Sequence, residues 1–267
     1  NILCSLYGYK LINRRYNQNY YELEKDIVAK EFLSPAALHA YSCGRLQTII
    51  KYVAEKVPYY KQLFTNLLIK PEDIRGFKDL SILPILDKNT VQAHLAEFRS
   101  DELKRIPHSN VHTSGTTGAG LIFPMSLKAE QEQWAAWWRY RSRFGIDKKT
   151  WYAHFYGKSV VPQAQTKPPF WRINKPGHQI LFSGYHMNNA YLPYYVEELN
   201  RRRPPWIQGY PSLLSILANF ILEDGMRLEY RPKIVTVGAE SLLPYQKSII
   251  EKALGAPCRQ HYGMAEG

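Results

Sequence analysis

The sequence predicts an α/β fold in which a mainly helical region over residues 1–100 precedes a parallel βαβ sheet in residues 101–267. Apolar residues recur at helical spacing in the first part. After about residue 150 the pattern changes to short apolar runs separated by helices, which is how a parallel sheet with crossover helices reads. The composition agrees: 45% of the 267 residues are hydrophobic and 22% charged, enough apolar material for a sizeable core, which excludes disorder, collagen and coiled coil.

Taken in order, Ser34-Pro35 reads as an N-cap followed by proline at the first helical position. Leu46, Ile49, Ile50 and Val53 then keep helical spacing until the helix stops before Pro58. Leu80 to Leu86, with Pro84 inside, is a short connector, and Asp87 caps a helix running through Val91 and Leu95. After Ser126 a helix is expected through Phe144, ended by Gly145, with Trp134, Trp137, Trp138 and the arginines after them setting an apolar face against a basic one. Strands are expected at Trp151 to Tyr156, Ile180 to Phe182, Trp206 to Gln208, Ile234 to Val237 and Cys258 to Tyr262. Helices from Ser212 to Gly225 and from Pro244 to Gly255 join the last three into a right-handed parallel βαβαβ unit. Ligands of such sheets lie beyond the carboxyl ends of the strands, here at Gly209-Tyr210-Pro211, Gly238-Ala239-Glu240 and Gly263-Met264-Ala265-Glu266.

A balance of 35 Lys+Arg against 23 Asp+Glu gives a net charge of +12, so the molecule attracts anions. Between Arg139 and Lys175 stand Arg139, Arg141, Arg143, Lys148, Lys149, Lys158, Lys167, Arg172 and Lys175 against Asp147 alone. A polyphosphate ligand, nucleic acid, an acidic polymer or simply a solvated basic face each fits this bias. No apolar stretch approaches the roughly 18 residues of a membrane-spanning helix and no signal peptide is visible, so a cytoplasmic protein is expected. Three cysteines, Cys4, Cys43 and Cys258, lack C-x-x-C spacing and read as buried thiols rather than a disulfide framework or zinc site. The first residue, Asn1, is not methionine, which suggests a trimmed or partial chain.

Thr113 to Gly120 carries four hydroxyls and three glycines in eight positions. Such a segment is either an anion cradle, in which backbone N–H groups and hydroxyls converge on a polyphosphate, or a polar hairpin loop. Gly115 and Gly120 have P-loop spacing, but Leu121 and Ile122 follow where Lys and Ser/Thr are required. A dinucleotide fingerprint lacks its third glycine, a G-x-S-x-G elbow fails at His112, and no H-E-x-x-H motif occurs.

Thr113 to Gly118 (TSGTTG), Gly238-Ala239-Glu240 and Tyr262-Gly263-Met264-Ala265-Glu266 stand in the order, and at about the spacing, of three core motifs of the adenylate-forming superfamily. The chain resembles that superfamily, which includes acyl-CoA ligases and luciferases. Val57-Pro58-Tyr59-Tyr60, Leu83-Pro84-Ile85-Leu86 and Gly209-Tyr210-Pro211-Ser212 resemble its phenylacetate-CoA ligase branch and that branch's relatives in capsule polysaccharide gene clusters. The resemblance covers most of the chain. It implies an AMP-forming ligase. A carboxylic acid, aryl acids among the candidates, attacks the α-phosphate of ATP to give an acyl-adenylate and pyrophosphate, and coenzyme A or another acceptor then displaces AMP.

By the same resemblance Thr113, Ser114, Gly115, Thr116, Thr117 and Gly118 hold the phosphates, with Thr113, Ser114 and Glu266 the catalytic set. Glu266 ligates Mg²⁺, Tyr262 followed by Gly263 stacks on adenine, and Gly238, Ala239 and Glu240 line the adenine and acyl pocket. His154, Phe155 and Tyr156 form one wall of the acyl pocket and Tyr210 the other. Physically, Tyr262 can also end its strand as core, Glu266 can be a surface acid, and Glu240 can be the acid favoured at a helix N-terminus. Ala119-Gly120-Leu121-Ile122 stands where many family members carry lysine. The resemblance further implies that residues 101–267 are an incomplete nucleotide-binding α/β part, that the family's C-terminal lysine-bearing domain is absent, and that this stretch alone is inactive. Two alternatives stand beside the ligase: a catalytically inactive nucleotide-binding homologue acting as scaffold or regulator, and a module binding an anionic polymer through the basic run and Arg201-Arg202-Arg203.

Overall fold

The computed structural model describes residues 1–113, 120–157 and 159–263. The first part is helical as expected, with α1 (Ile2–Arg15), α2 (Gln18–Ala29), α3 (Pro35–Lys56), α4 (Pro58–Asn66) and α5 (Lys88–Ala93). Both expected caps form. Ser34 Oγ accepts from the Ala37 N–H at 3.2 Å and Asp87 Oδ1 from the Thr90 N–H at 2.7 Å, each satisfying a donor that the first helical turn leaves unpaired. α5 stops at Ala93, short of Leu95, and a 3₁₀ turn over Phe77–Ile82 occupies part of the expected connector.

Packing divides the chain into two compact units. One holds residues 19–133; its helices close over Ile50, Phe64 and Ile74, with Leu46, Ala54 and Tyr60 against them. It also carries an antiparallel pair, β1 (His108–His112) and β2 (Ile122–Ser126), in which Val111 faces Phe123 and His112 faces Ile122. The hydroxyl- and glycine-rich segment therefore joins the two strands of a hairpin.

The other unit combines residues 1–18 with the chain from residue 134 onward. Its strands are β3 (Tyr152–Tyr156), β4 (Trp171–Asn174), β5 (Gln179–Ser183), β6 (Trp206–Gly209), β7 (Ile234–Val237) and β8 (Cys258–Gln260), in the sheet order β4-β5-β3-β6-β7-β8. All neighbours are parallel except β4, which runs antiparallel to β5 along one edge. The helices are α6 (Leu127–Ser142), from residue 134 on, α7 (Leu192–Arg202), α8 (Pro211–Glu223) and α9 (Pro244–Leu254). The βαβαβ unit β6-α8-β7-α9-β8 stands as the sequence predicts. β4, α7 and the docking of α1 on β4 were not read from the sequence. That docking uses Asn1 Oδ1, which accepts from the Ile173 N–H at 2.8 Å, and Ser5 Oγ, which accepts from the Lys175 N–H at 3.3 Å.

The sheet's two faces differ in kind, because side chains alternate along each strand. Ala153, Phe155, Ile180, Phe182, Ile207, Val235 and Val237 point to one face and share a core with Tyr195 and Leu199 of α7, Leu214 and Leu217 of α8, and Ile250 and Leu254 of α9. Phe155 and Phe182 stack there at 4.6 Å. The alternate residues, Tyr152, His154, Tyr156, Trp206, Gln208 and Thr236, form the opposite, polar and aromatic face. Trp206 Nε1–H donates to Thr236 Oγ1 at 2.8 Å and Gln208 Nε2–H to the Tyr156 hydroxyl at 3.1 Å.

The expectation of three buried thiols is corrected: Cys258 alone is buried, its thiol pushed up to about 11 by desolvation, whereas Cys4 and Cys43 are part-exposed on helices.

Strand β3 sits at the topological switch, since the chain leaves it toward β5 on one side and returns to β6 on the other. Gly209 lets β6 approach it: a Cβ there would lie 2.6 Å from the Phe155 carbonyl oxygen and 2.8 Å from Phe155 Cβ. Gly209→Ala is expected to destabilise the protein by about 1–3 kcal/mol through overpacking, read by urea denaturation; an unchanged midpoint would contradict this packing.

Candidate active site

The carboxyl ends of β3, β6, β7 and β8 bring together most of the described residues expected to bind ligand. Tyr156 ends β3, and its ring meets that of Tyr210, just after β6, edge-on at 4.5 Å. The Tyr210 N–H donates to the Phe155 carbonyl at 3.0 Å, which seats the residue before α8 begins at Pro211. His154 lies on the same face as Tyr156, ring centres 4.3 Å apart. Phe155 points the other way: it is fully buried in the core under α7 and α8, apart from the other three residues of the expected acyl wall. Burial pushes the Tyr156 hydroxyl up to about 12, so it remains a neutral donor at neutral pH.

Gly238, Ala239 and Glu240 follow β7. The Glu240 carboxylate accepts from the Ser212 N–H at 3.1 Å and the Ser212 hydroxyl at 3.0 Å, so it satisfies the N-terminus of α8, while its carbonyl accepts from Gln260 Nε2 at 2.9 Å. Glu240 thus ties β7, α8 and β8 together, a helix-terminus role on a helix earlier in the chain. Ala239 holds φ at +66°, the left-handed region costly for a residue with a Cβ. At Gly238 a Cβ would come within 2.6 Å of the His261 ring, so only glycine lets that imidazole lie against the backbone.

His261 is a site residue that sequence reasoning missed, although it directly precedes the YGMAE motif. Its N–H donates to the Val237 carbonyl at 3.1 Å, and its ring lies 5.9 Å from Trp137 and 6.0 Å from Tyr140. Tyr262 is 85% exposed, which decides against a core role, and Gly263 lies beside Trp137.

In the other unit, Thr113 closes the neck of the β1–β2 loop. Its N–H donates to the Leu121 carbonyl at 3.0 Å, and its hydroxyl accepts from the Leu121 N–H at 2.8 Å. The expected phosphate residues Ser114, Gly115, Thr116, Thr117 and Gly118, and the expected Mg²⁺ ligand Glu266, lie outside the described residues. Among the described residues no group of three or more His, Cys, Asp or Glu side chains is arranged to hold a metal ion.

The expected split of α6 into an apolar and a basic face is corrected by Arg141. Trp134, Trp137, Trp138 and Arg141 share one helical face, and the guanidinium, only 5% exposed, lies over the rings of Trp138 at 4.9 Å and Trp206 at 4.8 Å. Arg201 and Arg202 both pair with the buried Glu198, and Arg203 faces Glu229 at 3.8 Å, so that triplet is not an unpaired basic surface.

No protein-family model matches the chain. Among curated proteins, the protein CapK of Staphylococcus aureus is 25% identical over 271 residues, which span 100% of this chain and 58% of CapK. A phenylacetate-coenzyme A ligase of Thermus thermophilus is 34% identical over 93 residues, 34% of this chain and 21% of that ligase. Among solved structures, a 2-hydroxyisobutyryl-CoA ligase in an open conformation with 2-HIB-AMP and CoA superposes with a TM-score of 0.64 at 18% identity, covering 89% of this chain and 56% of the ligase. The same ligase in its thioesterification state gives 0.63 at 20% identity, covering 89% and 51%. The fold is that of the adenylate-forming ligases. Its relatives in sequence are CapK and the phenylacetate-CoA ligases, as the motifs foretold, and the chain spans a little over half the length of CapK and of the superposed ligase.

Burial first, and the nearby Arg141 charge second, hold the His261 imidazole below its usual value of 6.5. Because the folded state resists protonation there, stability is full above pH 6.5 and falls as pH drops through that value toward the lower folded pKa. NMR titration of His261 is expected to give a midpoint below 6.5 that rises in Arg141→Gln; a midpoint at or above 6.5 would contradict the geometry.

Proposed function

We propose that this chain is the acid-activating part of an AMP-forming ligase. It binds ATP and a small carboxylic acid, promotes attack of the carboxylate on the α-phosphate with loss of pyrophosphate, and passes the acyl group from the acyl-adenylate to coenzyme A or another acceptor with release of AMP. The observation that carries the reading is the meeting of Tyr156, Tyr210, Gly238 to Glu240 and the exposed Tyr262 around the carboxyl ends of four parallel strands at a switch point, where α/β sheets bind ligands. Kinship with phenylacetate-CoA ligases supports the reaction type.

Such chemistry rests on positioning and charge neutralisation rather than on a protein nucleophile. In this reading the exposed Tyr262 ring stacks on adenine, with Gly263 leaving its face open, and Gly238 and Ala239 pass the base along their backbone. Glu240 acts through α8, keeping Ser212 and the Tyr210 ring in place. Thr113, Ser114, Gly115, Thr116, Thr117 and Gly118 receive the phosphates on a hairpin whose neck Thr113 closes, and Glu266 would hold Mg²⁺, which neutralises phosphate charge when bound. His154, Tyr156 and Tyr210 line the acid's site, whereas Phe155 serves the core behind it. Use of ATP puts the protein in the cytoplasm, and among the described residues no helix is long and apolar enough to cross a membrane.

Calorimetric titration with ATP·Mg²⁺ tests the reading. Base stacking on an aromatic ring contributes about 1–3 kcal/mol, so Tyr262→Ala is expected to weaken ATP about 5- to 150-fold while Tyr262→Phe keeps most of the affinity. Ser114→Ala and Glu266→Gln are expected to weaken it as well. ATP binding unchanged in all three loss variants would overturn the assignment. Binding that responds as expected, but without acid-dependent pyrophosphate release from a chain carrying the lysine-bearing domain, would favour the inactive nucleotide-binding homologue.

A further inference from the structure

Arg141 is a buried cation without a counter-ion among the described residues. Its side chain forms no hydrogen bond or ion pair among the described residues, and Nη1 is fully sequestered from solvent. The guanidinium is surrounded by Trp134, Trp137, Trp138 and Trp206, with centroids 4.8 to 5.8 Å away. Aromatic faces attract the charge, but they offer its five N–H donors no acceptor, and a buried donor left unmade is costly. The titratable groups acting on it most strongly are the neutral hydroxyls of Tyr152, Tyr16 and Tyr156 and the like-charged Arg15, with no carboxylate among them. Its charge is also felt at His261.

These groups fix the position of Arg141 along the sheet. Tyr152 and Trp206 are register partners at the amino ends of β3 and β6, and Tyr156 and His261 stand at the carboxyl ends of β3 and β8. The four steps from Tyr152 to Tyr156 span about 13 Å, ample for a small dicarboxylic acid lying along the strand. An acid presenting its reacting carboxylate at the carboxyl edge would lay its body along His154 and Tyr156 and point its far end at Arg141.

We propose that Arg141 recognises a second anionic group at the far end of the acid, so that the preferred substrates are dianions such as dicarboxylic acids rather than simple aryl or alkyl monoacids. This deepens the ligase reading and rests on it for calling the acid a substrate; the anion site itself can be tested without ATP. Three of the caging rings are packed on one helical turn and the fourth on β6, so the site reports on itself through tryptophan fluorescence.

The experiment titrates the chain with matched pairs, benzoate and terephthalate, phenylacetate and 4-carboxyphenylacetate, pentanoate and glutarate, reading tryptophan fluorescence. In at least one pair the dianion is expected to bind tenfold or more tightly than its monoacid. Arg141→Gln is expected to abolish the difference and Arg141→Lys to keep part of it. A wild type that prefers no dianion, or an Arg141→Gln protein with native near-UV dichroism and undiminished preference, overturns the proposal. Should Arg141→Gln fail to fold, ¹⁵N resonances of the wild-type Arg141 guanidinium decide: they shift with the dianion and not with the monoacid, or the proposal fails. ATP·Mg²⁺ titration of the same samples separates the two readings. Dianion preference without ATP binding removes the ligase and keeps the Arg141 site, and ATP binding without dianion preference does the reverse.

Discussion

At the middle of the sheet, the backbone of β6 presses against Phe155 of β3 through a residue with no side chain. The Tyr210 N–H then bonds to the Phe155 carbonyl, so the chain leaves β6 in a fixed direction and α8 starts at once at Pro211. From that start follow the Tyr156–Tyr210 ring contact and the position of Ser212, which receives the Glu240 carboxylate. Glu240 in turn draws the β7 loop and, through Gln260, the end of β8 into place. The candidate site is therefore a consequence of close strand packing carried outward through hydrogen bonds.

The same sheet divides labour between its faces. The face under α7, α8 and α9 is dry and built from Phe, Ile, Val and Leu, the ordinary source of stability in a fully buried parallel sheet. The other face holds polar and aromatic groups, each hydrogen bond between them fixing a ring: Trp206 to Thr236, Gln208 to Tyr156. Burial raises the tyrosine hydroxyls of this face, keeping them neutral, so Arg141 is the charge that dominates there. Burying a polar face of this kind is costly unless its groups are hydrogen-bonded, as those of Trp206, Thr236, Gln208 and Tyr156 are.

Much of this was legible in the sequence. Ser34, Asp87 and the βαβαβ unit carry local signals, capping chemistry and periodicity, that act over a few residues, and the three motifs name a fold that the superposed ligases share. What escaped depends on contacts distant in the chain. β4 reads weakly because it is a short antiparallel edge, and α1 reaches it from 170 residues away through Asn1 and Ser5. Strand alternation alone separates Phe155 from His154 and Tyr156, and the i, i+3, i+4, i+7 spacing of Trp134, Trp137, Trp138 and Arg141 already puts the arginine among the tryptophans. The destination of Glu240 was not legible, since its partner Ser212 belongs to an earlier helix.

A nucleotide bound as proposed lies at the carboxyl ends of β7 and β8. Photolabelling with 2-azido-ATP, followed by mass spectrometry of the labelled peptides, tests this placement most directly. Cross-links are expected only in the segments around Gly238 to Glu240 and His261 to Gly263, competed away by ATP. Labelling concentrated elsewhere, or labelling that ATP does not compete, would contradict it.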